Sequence, residues 1–347
     1  MDPRTVQTLL LQRDYLDDVQ NSSDPVFHYT SPNGLLSIIK NKSFRFGDFR
    51  FFNDINELEY ARKLIIECLN ELRKISNHTF YDILESEFNE PTCYSNREEI
   101  FIYYKNLDLS ELEKNNLKLF PKSKYKTFVL CCSLDKDNME MWNYYTKNNF
   151  GLGYNIQIDK QEFINQFTSL KCFKNNDSVL KVHYLFSGKI IYDQFKQKEI
   201  IKRAINKFRL VWHDIDKIEV MKEFKIDSLK QIVFLFDIFS ILMKAPYFEN
   251  EHEFRFTFWL PEDCDNLKYM NTIDNNFQLE IINGSFAPKI DIKVDDIHKI
   301  ITQINIGPYN NQDFTELGLK ELLKHFGFND LLTKKNAIMK SDILVRY

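Results

Sequence analysis

The sequence predicts an α+β fold in which two small mixed β-sheets enclose a cleft and helical insertions pack outside. Three observations point there. Short extended runs lead directly into helix signals, as where Val26-Phe27-His28-Tyr29-Thr30 precedes Ser31-Pro32. The stretch from Glu251 to Leu260 alternates strictly: Glu251, Glu253, Arg255 and Thr257 share one face, and Phe254, Phe256, Phe258 and Leu260 the other, so a core face is backed by a charged wall. Glycine is scarce, nine in 347 residues, and only Gly151 and Gly153 are spaced as G-x-G, with no third glycine, which excludes a Rossmann fingerprint and a Walker loop.

In chain order, residues 1–24 read as an N-terminal helical extension and 25–310 as a single α+β domain. Asp24-Pro25 leads into the first strand, Ser31 caps a helix from Pro32 to about Lys40, and Asp54 with Glu57 forms a capping box for a long helix. Leu58, Ala61, Ile65, Cys68, Leu69 and Leu72 keep the 3.6 period of that helix. Residues 76–120 and 160–245 read as mainly helical insertions, the second containing the apolar segment Ile232 to Met243. Strands are expected near 128, 154, 182, 254, 278 and 302, with a second capping box at Asp137 and Glu140. Gly307-Pro308 ends the last strand, and residues 311–347 are a closing helix and tail.

Composition excludes several function classes. Hydrophobic residues at 44% and charged residues at 28% are those of a globular protein, and a net charge of -4 argues against a dedicated duplex-DNA binder. Six cysteines without a C-x-x-C spacing read as reduced thiols of a cytoplasmic protein, and the seven histidines match no zinc signature, so no metal is expected. The opening Met1-Asp-Pro-Arg is not a signal peptide, and Ile232 to Met243 is too short to span a bilayer, so no membrane partner is expected.

Four constellations can carry chemistry, and each has a structural counterpart. His28 with Tyr29 and Thr30 is a ligand-binding strand or a half-buried histidine satisfied by a neighbour. Asn53, Asp54 and Glu57 are a site or a turn and cap. Trp142 and Tyr145 are stacking platforms or core. Glu251, Glu253 and Arg255 are catalytic groups or a solvated face with cross-strand pairs.

Together and in this order, H-Y-T-S, F-N-D-x-x-E, a strand ending in Ser133 followed by M-W-x-x-Y, E-x-E-F-R and I-x-I-G-P resemble an uncharacterised bacterial domain family over Phe27 to Pro308. The departures are Cys132 for Phe, Thr146 for Ala and Phe254 for Trp, which leave the charged positions standing. The opening is in turn similar to the ADP-ribosyltransferase-like superfamily. That resemblance implies NAD as substrate, Glu253 as catalytic glutamate, Glu251 as the group orienting the acceptor, and His28 on the nicotinamide-side ribose. It further implies that Tyr29, together with Trp142 or Tyr145, stacks on the nicotinamide ring, with Thr30 and Asn53 lining the nucleotide site. A fixed carboxylate is what an oxocarbenium-like ribose requires. Arg45, after the first helix, is the phosphate candidate, and Arg255 is expected to neutralise the carboxylates or pair with Asp54. On an extended strand Glu251 and Glu253 would stand about 6.6 to 7 Å apart.

The functional expectation is an NAD-dependent ADP-ribosyltransferase or NAD glycohydrolase acting as a bacterial toxin or antiphage effector on a macromolecular acceptor, protein or nucleic acid. Two alternatives stand beside it. One is a non-catalytic nucleotide- or protein-binding module using the same cleft. The other is a metal-dependent nuclease built from Asp54, Glu57, Glu251 and Glu253, whose carboxylates lack a recognisable motif.

Overall fold

The computed structural model describes residues 24–52, 57–76, 78–88, 125–146, 152–170, 172–175, 178–181, 185–216, 232, 235–261, 275–282, 284–308 and 311–344. The predicted N-terminal extension, apart from Asp24, and most of the first insertion lie outside these residues, as do Asn53 and Asp54.

The fold is mixed α and β. The strands are β1 (Val26–Thr30), β2 (Ser43–Asp48), β3 (Tyr125–Ser133), β4 (Tyr154–Ile158), β5 (Cys172–Asn175), β6 (Ser178–Lys181), β7 (Leu185–Lys189), β8 (Glu253–Pro261), β9 (Asn275–Ile282), β10 (Ser285–Lys293), β11 (Ile301–Ile306) and β12 (Ile338–Lys340). The main helices are α1 (Pro32–Asn41), α2 (Glu57–Ile75), α3 (Thr79–Phe88), α4 (Met139–Tyr145), α5 (Lys160–Leu170), α6 (Gln194–Asp216), α7 (235–242) and α8 (Gln312–His325).

The two small sheets expected from the sequence are instead one ten-stranded sheet, with β5 and β6 forming a separate hairpin. The reason lies in β3. Its nine residues pair along one edge with the whole of β8, from Tyr125–Pro261 to Ser133–Glu253. Its other edge is shared: β2 pairs at Phe128 and Val129, and β1 only at Ser133, opposite Phe27. From this edge β2 continues into β10 and β9, while β1 continues into β4, β11 and β12. The two halves are thus joined by a narrow seam, and β11 with β12 is the parallel pair that makes the sheet mixed.

Around β3 and β8 both faces of the sheet are covered. On one, Phe44, Phe46, Phe128, Phe254, Phe256 and Phe258 pack with Phe163 and Phe167 of α5 and the apolar side of α1. Each buried phenylalanine contributes roughly 1.5–3 kcal/mol. On the other, α2, α3, α6 and α7 close over Val129 and Phe186. The polar face of β8 is therefore no open wall: Glu253, Arg255 and Thr257 are all buried.

Local signals were met closely. Ser31 caps α1, its Oγ accepting from Gly34 N at 3.1 Å. A Cβ at Gly34 would collide with Thr30 Oγ1, so strand and helix approach closely there. At α4 the cap is Asn138, which accepts from Glu140 N and Met141 N, rather than the expected Asp137. Within 160–245 the strand expected near 182 is found as β6 and β7, β5 is added before it, and a 3-10 turn, Pro246–Glu251, follows the region.

Candidate functional site

The site is assembled at the N-terminal end of β8. Arg255 lies between Cys131 on β3 and Gly188 on β7. Arg255 donates from Nε and Nη2 to Oε1 and Oε2 of Glu253, both at 2.8 Å, and from Nη1 to the Ile241 carbonyl at 2.7 Å. The same Nη1 lies 2.5 Å from Glu57 Oε1 at the start of α2, an ion-pair contact without hydrogen-bond alignment. The Phe49 ring lies 5.2 Å from the guanidinium carbon and completes the enclosure.

Lys244 supplies the second cation, with Nζ 2.7 Å from Glu251 Oε2 and 3.4 Å from Glu253 Oε2. It follows α7 and is held by its backbone. Gln197 of α6 is fully buried; its Nε2 donates to the Lys244 carbonyl at 2.9 Å, while its Oε1 accepts from Tyr60 Oη of α2 at 2.7 Å. Tyr192 adds a further contact, its hydroxyl accepting from Glu253 N at 3.0 Å.

Glu251 does not belong to β8, as the alternation had suggested. It ends the 3-10 turn, and His252 between the two glutamates adopts a left-handed conformation, φ 40°. The corner is braced from three sides. Ser133 Oγ donates to the Glu251 carbonyl at 2.8 Å, Leu134 N to the His252 carbonyl at 2.8 Å, and His252 Nδ1 meets Asp135 Oδ2 at 2.8 Å. This bend, not strand spacing, turns both carboxylates onto one ammonium.

Charge and burial set the protonation states. Burial would raise the Glu253 carboxyl, but Arg255 and then Lys244 outweigh it and hold it at about 2. Burial raises Glu57, and Arg255 only partly offsets this; it likewise raises Glu251 against Lys244. Lys244 and Arg255 are driven above their ordinary values by the surrounding carboxylates despite burial. Burial holds the Cys131 thiol and the Tyr145 and Tyr192 hydroxyls protonated, and keeps His28 neutral.

The structure brings several predicted residues to this place. Ser133 faces Phe27 of β1 on one edge and Glu253 on the other. His28, one residue on from Phe27 and so on the other face of β1 with Val26, has its Nδ1 3.0 Å from the Cys131 carbonyl. Tyr145 is half-buried and packs against the small core of Phe27, Tyr29, Met141 and Trp142. Tyr29 and Trp142 are otherwise employed. They pack edge-to-face at 4.7 Å, Tyr29 Oη donates to the Asp135 carbonyl, and Trp142 Nε1 donates to Asp137. Both rings are core.

Thr30 is buried at the end of β1. Arg45 stands elsewhere, on β2, with Nε and Nη2 on Asp291 at 2.7 and 2.9 Å and Nη2 also on Gln278. Arg255 does neutralise Glu253, but its second carboxylate is Glu57. Sequence reasoning missed Lys244, Gln197 and Tyr192. For Lys244 a signal existed, a charge set between Met243 and Ala245 at the end of an apolar run; Gln197 and Tyr192 carried none.

The arrangement can present a fixed, ionised carboxylate and a second carboxyl that exchanges a proton. Among the described residues no group of histidine, cysteine, aspartate and glutamate is placed to hold a metal ion, and no helix is long and apolar enough to cross a membrane. In comparison with known proteins, a family described as a protein of unknown function (DUF2971) matches residues 141–256, a narrower span than the resemblance over Phe27 to Pro308. It runs from α4 to β8 and includes Trp142, Tyr145, Lys244, Glu251, Glu253 and Arg255. No curated protein and no solved structure matches the chain.

Proposed function

We propose that the seam between β1, β3 and β8 is the nucleotide site of an NAD-consuming ADP-ribosyltransferase or NAD glycohydrolase. The observation that carries this reading is the pairing of Ser133 with Phe27 on one side and Glu253 on the other, which sets the histidine strand and the glutamate strand flanking one short stretch of β3. In this reading His28, neutral and oriented by the Cys131 carbonyl, holds the ribose, and Tyr145 lies against the nicotinamide. Glu253, ionised, stabilises the oxocarbenium-like ribose as the N-glycosidic bond breaks. Glu251 directs water or a macromolecular acceptor to the anomeric carbon. A toxin or antiphage effector is the biological role that goes with such chemistry.

The test is nicotinamide release from NAD, with and without cell lysate as a source of acceptors. Glu253→Gln should lower the rate about 10²-fold or more while the fold is retained. A wild-type protein that releases no nicotinamide under either condition overturns the reading.

A second reading has its own support. Both oxygens of Glu253 are engaged by Arg255, and Oε2 also by Lys244, as in a structural ion cluster beneath a binding module. Saturable NAD binding without nicotinamide release would favour it.

A further inference from the structure

We propose that β9 is the edge through which two copies of this chain pair, strand against strand and antiparallel about Leu279. In the ten-stranded sheet β9 is an end strand, hydrogen-bonded only to β10 among the described residues. It lies in the other half of the sheet from β1, and this surface does not depend on the nucleotide reading.

The ladder of the β9–β10 hairpin fixes which backbone groups face outward. Ile282 pairs with Ser285 across a two-residue loop, and such a loop is closed by a hydrogen-bonded pair. Hydrogen-bonded and open pairs then alternate, so Gln278 and Glu280 bond inward to β10, while Phe277, Leu279 and Ile281 turn N–H and C=O to the outer edge. Two positions on β10 and just beyond it agree. Pro288, which has no N–H, sits opposite Leu279 in an open pair. Val294, of the same parity as Pro288, donates on the β2 side, to the Lys42 carbonyl.

A solvated edge hairpin carries polar side chains on its open face; this one carries large apolar ones. Leu279, Ile281 and Phe286 are 61%, 70% and 67% exposed. They share a face, since Ile281 pairs with Phe286 and Leu279 with Pro288, and the alternation continues along β10 to Ile290 and Ile292, buried in the phenylalanine core. The apolar face of the sheet thus runs on past its cover. The opposite face holds the polar groups, Gln278 with Asp291 and Arg45, and Glu280 beside Lys289. Exposed edges are commonly guarded by lysine or proline, and β9 has neither.

Self-complementarity identifies the occupant as a second copy. Pairing about Glu280 would set two carboxylates face to face, and pairing about Gln278 would set Ile281 opposite Asn275. Pairing about Leu279 instead sets Leu279 against its own twin and Ile281 opposite Phe277 of the other copy, with Glu280, the single charge of β9, opposite Gln278. The outward N–H and C=O groups from Phe277 to Ile281 then all find partners, the exposed apolar side chains form one strip across the two-fold axis, and the pair is closed.

The experiment is analytical ultracentrifugation of the full chain from about 1 to about 100 μM, a range that reads micromolar association. The wild type should sediment as monomer and dimer with no larger species, because an isologous pair closes. Ile281→Lys should weaken the dimer about 10²-fold or more, since the two-fold axis counts the substitution twice, and leave the circular-dichroism spectrum unchanged, since the side chain is exposed. Leu279→Pro removes an outward N–H and no bond to β10, and should likewise give a folded monomer. Leu279→Cys should give a disulfide-linked pair on oxidation that the wild type does not. Phe314→Lys and Leu317→Lys on α8, comparably exposed, should leave the dimer intact.

A wild type that stays monomeric throughout overturns the proposal and leaves the edge to a different chain. A dimer that survives Ile281→Lys, or assembly beyond two copies, overturns it as well.

Discussion

Two arginines of this sheet hold a carboxylate in the same two-pronged grip, yet they do different things. Arg255 grips Glu253 from the same strand, and Arg45 on β2 grips Asp291 directly opposite on β10. The hydrogen-bond lengths are alike. The surroundings are not: the Arg255 side chain is 1% exposed and the Arg45 side chain 40%. Water reaches Arg45 although Asp291 beneath it is buried, whereas the first pair must satisfy both its charges within the protein. The Arg45 pair is joined by Gln278, while Arg255 has gathered Glu57, Glu253, Lys244 and Glu251. Geometry alone does not distinguish a surface pair from a site; burial and the count of charges do.

Replacing Arg255 by methionine is the most direct way to break the comparison. It strands Glu57 and Glu253 in a buried place, and urea denaturation should show a loss of about 3–5 kcal/mol. A loss under about 1 kcal/mol would mean that the cluster is as solvated as the Arg45 pair.

Acid should separate the two networks next. Glu253 titrates at about 2 in the folded protein, below the 4.5 of a free glutamate. Its contribution is therefore complete above pH 4.5 and is lost as the pH falls through 4.5 toward 2, up to roughly 3 kcal/mol. Glu57 and Glu251, raised by burial, act with the opposite sign: their contribution is present below 4.5 and is lost as the pH rises through their folded values. Denaturation across this window should be steeper in the wild type than in Glu253→Gln. Equal slopes would remove the ionised Glu253 from the account.

The corner between the glutamates sharpens the comparison at smaller scale. His252→Val puts a β-branched residue at positive φ and should cost about 1–2 kcal/mol, while His252→Gly relieves the backbone and should cost less. If valine and glycine are equivalent by thermal melting, the left-handed corner does not hold Glu251 in place. The smallest effect is expected from Arg45→Ala, about 1 kcal/mol, because Arg45 is half exposed and Gln278 still donates to the buried Asp291 it leaves behind.

Much of the local structure was legible because it is encoded within a few residues. Ser31-Pro32 starts α1, and the period-two run predicts β8 from its apolar face, because a cap or an alternation is settled by neighbours in the chain. Where expectation failed, distant partners decided. The two expected sheets became one because β3 offers an edge to both β1 and β2, a choice written in no single segment. Glu251 left the strand because Ser133, Leu134 and Asp135 brace a left-handed turn at His252.

The sequence by itself determined which residue types this protein would bring to a site, and in what order: a histidine strand, a tyrosine helix and a glutamate strand. Only the tertiary structure decided their use. It sent Trp142 and Tyr29 into the core, placed Arg45 on the far half of the sheet, and drew Lys244, Gln197 and Tyr192 from the helical insertion to complete the cluster. The reason is physical. Alternation specifies that a residue lies on a face, but what covers that face is set by contacts between parts of the chain more than a hundred residues apart, and that cover determines whether a carboxylate is a solvated surface group or a buried charge in need of a partner.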